Sequence, residues 1–484
     1  MQVLSLRTLV LPLLLTLAAV QTKPAAAQTV PAGRADAARS YAAFEAAWRE
    51  HPPQGQLRRT LAGQFDRMAR FWFRRDFNAA VRSFDAGTNA LLPTQETTPA
   101  AQAARASRLV VTPPFAIVGE DATVSLRIDP LYDVNAAPKT LSVEIDGTDK
   151  MLRLAREGGR ATVEIDRLEP GRYPVRVEGV ERGVLFVLAD APSAVRGQLR
   201  ARLDRLRPGV APEDVPAFTA VERRLDLLRD QPDAESVTSL LADPLELSQQ
   251  LAEEVAALEA GVDPFAGRPG GYWRTFSPQA GPPLDIPARV YAPAAVASSD
   301  APVPLVIALH GAGGDENLFM EGYGAGEVRR LADQYGFLLV SPQTYPTMFD
   351  GRSLDTILAG LSRSYDVDAD RVYVVGHSLG AITAAAWARR NPGRIAGIGL
   401  IAGGGLATGP QIAVPTFVAA AEYDYIFGVG ELSTLSDLAA AAGADSAFRI
   451  YPETGHVSIV PEALPDAIKW LLRRESKSPV DEQD

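Results

Sequence analysis

Apolar residues recur at helical spacing in the first part of the chain. Phe65, Met68 and Trp72 illustrate the pattern, which extends over about residues 36–92; apolar side chains three and four residues apart form one face of a helix. We therefore expect a helical region over residues 28–107, ending in a linker or weak helix. Four arginines in this stretch are interpreted as a solvated helix face rather than a binding patch: Arg67, Arg70, Arg74 and Arg75.

From residue 108 the apolar residues recur at every second position instead of at helical spacing. Val124, Leu126 and Ile128 alternate with polar residues, and later segments repeat the alternation between Gly, Pro and Asp turns. This pattern is typical of half-buried antiparallel strands. The phrase LEPGRY at 168–173 resembles strand entries of immunoglobulin-like sandwiches. Residues 108–190 are therefore predicted to form a small immunoglobulin-like β module, a β-sandwich.

The last part of the chain alternates strand and helix. Helical spacing returns over residues 191–268, a helical connector that ends in a cluster of Gly and Pro. Short apolar segments then alternate with helical ones over residues 269–475, which predicts an α/β domain with a mainly parallel sheet and helices on both faces. Its strands are expected at residues 284–291, 305–309, 337–340, 372–375, 397–401, 416–420 and 448–451. Residues 476–484 are expected to be a polar tail.

Composition narrows the classes of function. The 484 residues leave room for about three domains. The net charge of −11 argues against nucleic acid or an anionic membrane as a general partner, since both need basic patches. The chain has no cysteine, which removes disulfides, thiolate metal sites and a cysteine nucleophile.

The N-terminus has the pattern of a secretory signal peptide. Arg7 lies near the start of an apolar run over residues 9–20, and small residues surround Ala27. The run is shorter than the ~20 residues that a membrane span needs, so we predict cleavage after Ala27 rather than an anchor. The expectation is a signal peptide over residues 1–27, a secreted or periplasmic protein and no membrane span.

The strongest chemical signal is the sequence GHSLG at 376–380. It follows the apolar strand expected at 372–375 and precedes a helical run, the context in which G-x-S-x-G marks a nucleophile. The two glycines let the backbone crowd in a tight turn, which exposes the hydroxyl of Ser378. A glycine-rich packing turn is the alternative interpretation. We predict Ser378 as the nucleophile.

A serine nucleophile needs a base, and the base needs an acid. Of the four histidines, His456 lies in a loop after the last expected strand, which suits the chain order Ser, acid, His. Two acids follow the strand at 416–420. Asp424 is the preferred partner of His456, and Glu422, with its longer reach, is the alternative.

The oxyanion of an acyl-transfer intermediate needs N–H donors. The sequence HGAGG at 310–314 follows the strand expected at 305–309. We predict the backbone N–H groups of Ala312 and Leu379 as donors, with Gly311 as a further candidate. His310 is expected to orient this loop, and His377 to act beside the nucleophile or touch substrate. The spacing does not match a phosphate-binding loop.

Together these segments resemble the α/β-hydrolase superfamily over about residues 272–475. The sequence VDADRVYVVGHS at 367–378 is similar to secreted esterases of the polyhydroxybutyrate-depolymerase and feruloyl-esterase type. Dienelactone hydrolases and prolyl-oligopeptidase-like enzymes are further relatives in this pattern. The resemblance implies two-step acyl transfer with no metal and no organic cofactor. Ala421, where many relatives have glycine, departs from the pattern.

Three classes of function remain open at this point. The first is a hydrolase of a carboxylic ester, with a polymer-borne ester as one candidate substrate; the second is a serine peptidase of prolyl-oligopeptidase-like type; the third is a non-catalytic binding protein. About eighty strand-like residues are too few for a propeller, whose blades take ~40–45 residues each, which favours the esterase. The short connection before residue 416 leaves little room for a lid there, so we expect a water-open site, with the N-terminal half bracing the catalytic domain.

Overall fold

The structure is a computed structural model that describes residues 29–233, 236–278, 284–405 and 411–473. The predicted signal peptide and the predicted polar tail lie outside the described residues. Within the described ranges, no helix combines the length and the apolar character that crossing a bilayer requires.

The helical spacing at the N-terminus produces three long helices and a short one. They are α1 (Arg34–Glu50), α2 (Gly55–Phe73), α3 (Phe77–Leu91) and α4 (Pro99–Arg105). The apolar faces of the three long helices meet in one core that includes Phe44, Phe65, Met68 and Phe84. The predicted arginine face is exposed to solvent, as expected.

The period-two segment forms eight strands in two sheets. The strands are β1 (Ser107–Thr112), β2 (Phe115–Ile117), β3 (Thr123–Pro130), β4 (Thr140–Ile145), β5 (Met151–Ala155), β6 (Arg160–Glu164), β7 (Gly171–Val177) and β8 (Val180–Leu188). One sheet has the order β1-β3-β6 and the other β2-β8-β7-β4-β5. Leu126 of the first sheet and Val143 of the second belong to one buried cluster. The relationship to immunoglobulin-like domains stays a prediction.

The connector consists of helices that pack onto the C-terminal α/β region. They are α5 (Pro192–Leu206), α6 (Val215–Arg224), α7 (Val237–Leu241) and α8 (Pro244–Glu259). Leu203, Val221 and Leu251 share one buried cluster with Ile307 and Val374 of the large C-terminal sheet. The connector therefore contributes to the hydrophobic core of the C-terminal region.

The C-terminal part is an eight-stranded sheet. Its strands are β9 (Gly270–Phe276), β10 (Ile286–Ala292), β11 (Val303–Leu309), β12 (Leu338–Pro342), β13 (Val367–His377), β14 (Gly397–Ile401), β15 (Thr416–Ala421) and β16 (Ser446–Tyr451). The order is β16-β15-β14-β13-β11-β12-β10-β9. Strands β9 and β10 pair antiparallel, as do β10 and β12, and the others are parallel. Strand β9 is absent from the predicted set because its leading glycines resembled a boundary.

Helices cover both faces of this sheet, as predicted. They are α9 (Ala294–Ala297), α10 (Glu327–Tyr335), α11 (Thr344–Phe349), α12 (Ser353–Leu361), α13 (Leu379–Arg390), α14 (Val429–Ala441) and α15 (Val460–Leu472). Ile307 and Val306 are neighbours on β11 but belong to different buried clusters, because successive side chains of a strand point to opposite faces. The carboxyl ends of β11, β13, β15 and β16 lie at one edge, where ligands bind in open α/β sheets.

Candidate active site

Ser378 occupies a sharp turn between β13 and α13. Its backbone has φ 53° and ψ −114°, a conformation that non-glycine residues rarely adopt. A Cβ on Gly376 would collide with the backbone of Gly380, and one on Gly380 would collide with the carbonyl of Leu309. The glycines on either side of the serine thus permit an approach of backbones that larger residues would block, and the turn presents Ser378 at the edge of the sheet.

His456 lies in the loop between β16 and α15, with its ring held by Asp424. Nδ1 of His456 is 2.8 Å from Oδ2 of Asp424, and both side chains are almost fully buried. The other carboxylate oxygen of Asp424 accepts hydrogen bonds from the N–H groups of Ile426 and Phe427, at 2.8 Å and 3.1 Å. These bonds fix the carboxylate, and the carboxylate orients the imidazole.

Glu422, the alternative acid, has a different partner. Its Oε2 accepts a hydrogen bond of 2.8 Å from the backbone N–H of Glu453. The two acids therefore have different partners. Asp424 contacts the imidazole, and Glu422 connects its own loop to the loop that leads to His456.

Ser378 and the imidazole of His456 line one cavity of about 400 Å³. Because Nδ1 of His456 is bonded to Asp424, Nε2 is the nitrogen left to accept a proton. Within the described part of the chain, the Ser378 hydroxyl makes no hydrogen bond to the ring. Such bonds commonly tighten only when substrate is bound.

Ala312 and Leu379 line the same cavity. Leu379 is the first residue of α13, so its N–H has no acceptor within the helix. The N–H of Ala312 has no acceptor among the described residues, whereas the next one, of Gly313, donates to the hydroxyl of Tyr345 at 2.6 Å. Two backbone donors are thus available beside the nucleophile. Gly311, the further candidate, is not among the residues that line this cavity.

His310 anchors the loop that carries Ala312. Its Nε2 accepts from the N–H of Thr344 at 2.9 Å, and its Nδ1 donates to the carbonyl of Gly311 at 2.8 Å. Burial lowers the pKa of His310, which favours this neutral tautomer. The ring therefore connects this loop to the backbone of Thr344, and its orienting role stays a prediction.

His377 connects the nucleophile turn to the backbone of the base. Its Nε2 donates to the carbonyl of His456 at 2.8 Å, and its Nδ1 accepts from the hydroxyl of Tyr323 at 2.7 Å. Burial lowers the pKa of His377 well below its usual value. A neutral His377 thus supports the loop of His456, with both ring nitrogens engaged.

The N-terminal helices form part of the wall of this cavity, which the sequence did not predict, and the water-open site stays an expectation. Phe65, Met68 and Trp72 of α2 line it, as do Tyr41 of α1 and Leu240 of α7. Helices α1 and α2 come from the start of the chain; part of the connection before β15, where a lid was sought, lies outside the described residues. The expected bracing role is therefore incomplete for the helical region, because its side chains form the wall of the candidate site.

Asp66 of α2 holds the loop of the base and was not predicted. Its carboxylate accepts from the backbone N–H groups of His456 and Val457, at 3.0 Å and 3.2 Å. The Asp66 side chain is buried, and a Cβ on Gly455 would collide with it. Burial raises the pKa of Asp66, an effect that the two N–H donors partly offset. Asp66 is thus a positioning group supplied from 390 residues away.

Further contacts join the helices to the loop that carries Ala312. Nε1 of Trp72 donates to the carbonyl of Gly313 at 2.8 Å. Arg34 of α1 pairs with Asp315 at 3.4 Å. Glu45 of α1 accepts from the N–H of Gly324 at 3.0 Å, just after the π-helical turn Leu318–Gly322. The helical region therefore contacts both sides of the candidate site.

A family model described as serine hydrolase matches residues 346–458. This segment contains Ser378, Asp424 and His456. No curated protein matches the sequence.

Solved structures similar to part of the chain are hydrolases. One is a thermostable esterase, 24% identical, which covers 42% of this chain and 62% of its own length with a TM-score of 0.35. Another is an S-formylglutathione hydrolase from Agrobacterium tumefaciens, 19% identical, with coverage of 42% and 96% and a TM-score of 0.35. A third is the feruloyl esterase module from Clostridium thermocellum, 15% identical, with coverage of 43% and 88% and a TM-score of 0.36. The chain thus spans 62% of the length of the first of these.

Proposed function

We propose that this enzyme hydrolyses a carboxylic ester through an acyl intermediate on Ser378, a proposal supported by the match of residues 346–458 to a serine hydrolase family model. The observation that carries the proposal is one cavity lined by Ser378, His456, Ala312 and Leu379, with Asp424 bonded to the ring of His456.

In the first step, Nε2 of His456 takes the hydroxyl proton as the oxygen of Ser378 attacks the ester carbonyl. Asp424 holds Nδ1–H, so the imidazole has the tautomer that leaves Nε2 free, and the carboxylate stabilises the imidazolium that forms. The N–H groups of Ala312 and Leu379 stabilise the developing oxyanion. The imidazolium then gives its proton to the departing alcohol.

In the second step, water releases the acid. Nε2 of His456 removes a proton from the water as it attacks the acyl carbonyl, and the same two N–H groups stabilise the second oxyanion. The proton returns to the oxygen of Ser378 as the acyl–oxygen bond breaks. The cycle transfers only protons between these groups, and it returns Ser378 and His456 to their starting protonation states.

The test compares purified enzyme with Ser378→Ala on short-chain p-nitrophenyl esters and on peptide anilides. Ester turnover that the variant loses, together with labelling of the wild-type protein by a fluorophosphonate, is the expected result. Turnover of anilides alone would replace the ester proposal by peptide hydrolysis. Failure of both turnover and labelling would overturn the proposal.

We propose in addition that the enzyme acts outside the cytoplasm after removal of residues 1–27. The basis is the sequence pattern around Arg7, residues 9–20 and Ala27. N-terminal sequencing of the exported protein is expected to begin at Gln28. A cytoplasmic product that retains Met1 would contradict this.

A further inference from the structure

Much of the cavity lining is apolar and aromatic. Helix α2 contributes Phe65, Met68 and Trp72, and α7 contributes Leu240 and Leu241. These side chains do not take part in the proposed chemistry. A hydrophobic wall that leads away from a nucleophile provides binding energy to an apolar part of a substrate.

The charged side chains of this lining already have partners. Arg34 pairs with Asp315, and Glu321 pairs with Arg289 at 3.1 Å and with Arg329 at 2.8 Å. A charged group of a substrate entering the cavity would lose its hydration and would have to compete with these ion pairs. The lining therefore favours an uncharged group.

The cavity has an apolar rim. Phe73 at the end of α2 is 54% exposed, and Ile426, beside Asp424, is 46% exposed, although both line the cavity. Nearby, the guanidinium of Arg70 lies 4.1 Å from the ring centre of Tyr425. A hydrophobic chain can therefore remain in contact with apolar side chains from the rim to the nucleophile.

We propose that the cavity binds an uncharged hydrophobic chain of the ester and that the N-terminal helices create this specificity. The proposal rests on the proposed ester hydrolysis and specifies its substrate class. The volume of about 400 Å³ is within the range of small-ligand pockets, ~300–1,000 Å³. The N-terminal helical region is thus a substrate-binding element of the enzyme.

The first experiment measures kcat/KM for p-nitrophenyl esters from acetate to octanoate and, in a second series, for alkyl acetates of increasing alcohol length. We expect kcat/KM to rise about tenfold or more from two to six carbons in one series, since each buried methylene contributes to binding. The series in which kcat/KM rises shows whether the acyl chain or the alcohol chain of the ester occupies the cavity. A flat profile in both series would overturn the proposal.

A charged analogue gives a second test with the full-length enzyme. A p-nitrophenyl ester that carries a terminal carboxylate on its chain is expected to react at least about tenfold more slowly than the uncharged ester of equal length, because its charge is desolvated. A preference for the carboxylate-bearing ester would contradict the proposal.

Ala38→Phe adds bulk to the cavity from α1, because Ala38 lines it. The variant is expected to lower the ratio of hexanoate to acetate activity about tenfold. Ala43→Phe is the matched control: Ala43 is exposed on the same helix and is not part of the cavity lining, so the ratio should not change. Leu240→Ala, which removes a wall contact, should also lower the ratio and replaces Ala38→Phe if that variant does not fold. An unchanged ratio in a folded variant would contradict the proposal.

Binding to Ser378→Ala separates this proposal from the proposed function. A p-nitrophenyl octanoate that is not cleaved should raise the melting temperature of the variant more than the acetate does. If wild-type enzyme cleaves no ester but the variant still binds octanoate, the proposed function fails and the binding site stands. Ester cleavage without chain-length preference would support the proposed function and overturn the proposed binding site.

Discussion

The helical region and the β module both precede the catalytic domain, and each has its own apolar core. The helical region reaches the candidate site through Asp66, Trp72 and Glu45. Among the described residues, none of 107–188 lines the cavity. The presence of a separate apolar core therefore does not show whether a region belongs to the candidate site. The contacts that the region makes with the site residues do.

The β module instead contacts the helices that form the site. Arg108 of β1 pairs with Asp36 of α1. The hydroxyl of Tyr132 donates to Asp85 of α3 at 2.7 Å. We therefore expect the module to affect hydrolysis only indirectly, through α1 and α3, and we expect the two regions to respond differently to mutation.

The largest difference is expected at Asp66. Asp66→Ala leaves the N–H groups of His456 and Val457 without their acceptor, so the base shifts, and a misplacement of about 1 Å can lower the rate ~100-fold. We expect kcat/KM to fall by about that factor. Asp66→Asn should retain more activity than Asp66→Ala, since its amide oxygen still accepts from one of the two N–H groups, although its amide nitrogen cannot accept from the other.

The matched control is Asp129→Ala, which removes a largely buried carboxylate that pairs with Arg127 in the β module. Its kcat/KM should equal that of the wild type below the melting temperature. If a folded Asp66→Ala enzyme kept full activity, the helical region would be no more than a brace.

A smaller effect is expected at Trp72. Trp72→Phe keeps an aromatic ring in the cavity wall but removes the hydrogen bond to the carbonyl of Gly313. A neutral hydrogen bond contributes ~1 kcal/mol, so kcat/KM should fall about fivefold. Trp48→Phe on α1, outside the cavity lining, serves as the control and should leave kcat/KM unchanged. Equal values for both variants would mean that the Gly313 contact does not support the site.

A third effect concerns stability. Burial raises the pKa of Glu45 from 4.5 to about 7. The folded state therefore holds the Glu45 proton over a pH window in which the unfolded chain has lost it, so stability falls as pH rises from about 4.5 to 7 and is constant above. For this group the loss is about 3 kcal/mol.

Urea unfolding at about pH 5 and pH 8 measures this loss. Glu45→Gln removes the titration and should flatten the pH dependence relative to the wild type. Asp85, whose pKa burial raises to about 6, should leave a smaller dependence of the same sign in the variant. Identical slopes for the two proteins would refute the assignment to Glu45.

The smallest effect on hydrolysis is expected in the β module. Leu126 is fully buried between its sheets, so Leu126→Ala should lower the free energy of unfolding by ~2–5 kcal/mol. The kcat/KM of the folded enzyme should stay at the wild-type value. A large loss at a temperature where the variant is folded would show that the module transmits strain to the site.

The sequence predicts the chemical groups at the sheet edge well because each follows a strand. Ser378, Asp424 and His456 come directly after apolar segments, and parallel strands bring such ends together. The local glycines identify the nucleophile turn. The strand order needs long-range pairing, and the glycines at the start of β9 concealed one strand.

The N-terminal part of the cavity wall was not predictable in the same way. Phe65, Met68 and Trp72 fit a helix that packs its apolar face inward, and the same face also lines a cavity. Asp66, an acid among the buried positions of α2, was a signal that a partner exists. The partner lies 390 residues away in the sequence, and the local spacing of apolar residues cannot predict a contact over such a separation.

That separation has a consequence for how activity arises during folding. The bonds of Asp66 to the backbone beside His456 close a loop of most of the chain. The entropy of closing a loop grows only slowly with its length, but long-range contacts form late. During refolding, ester hydrolysis should therefore appear after most of the helices and strands have formed. A colorimetric assay of hydrolysis would then measure the rate at which the N-terminal helices reach their final position.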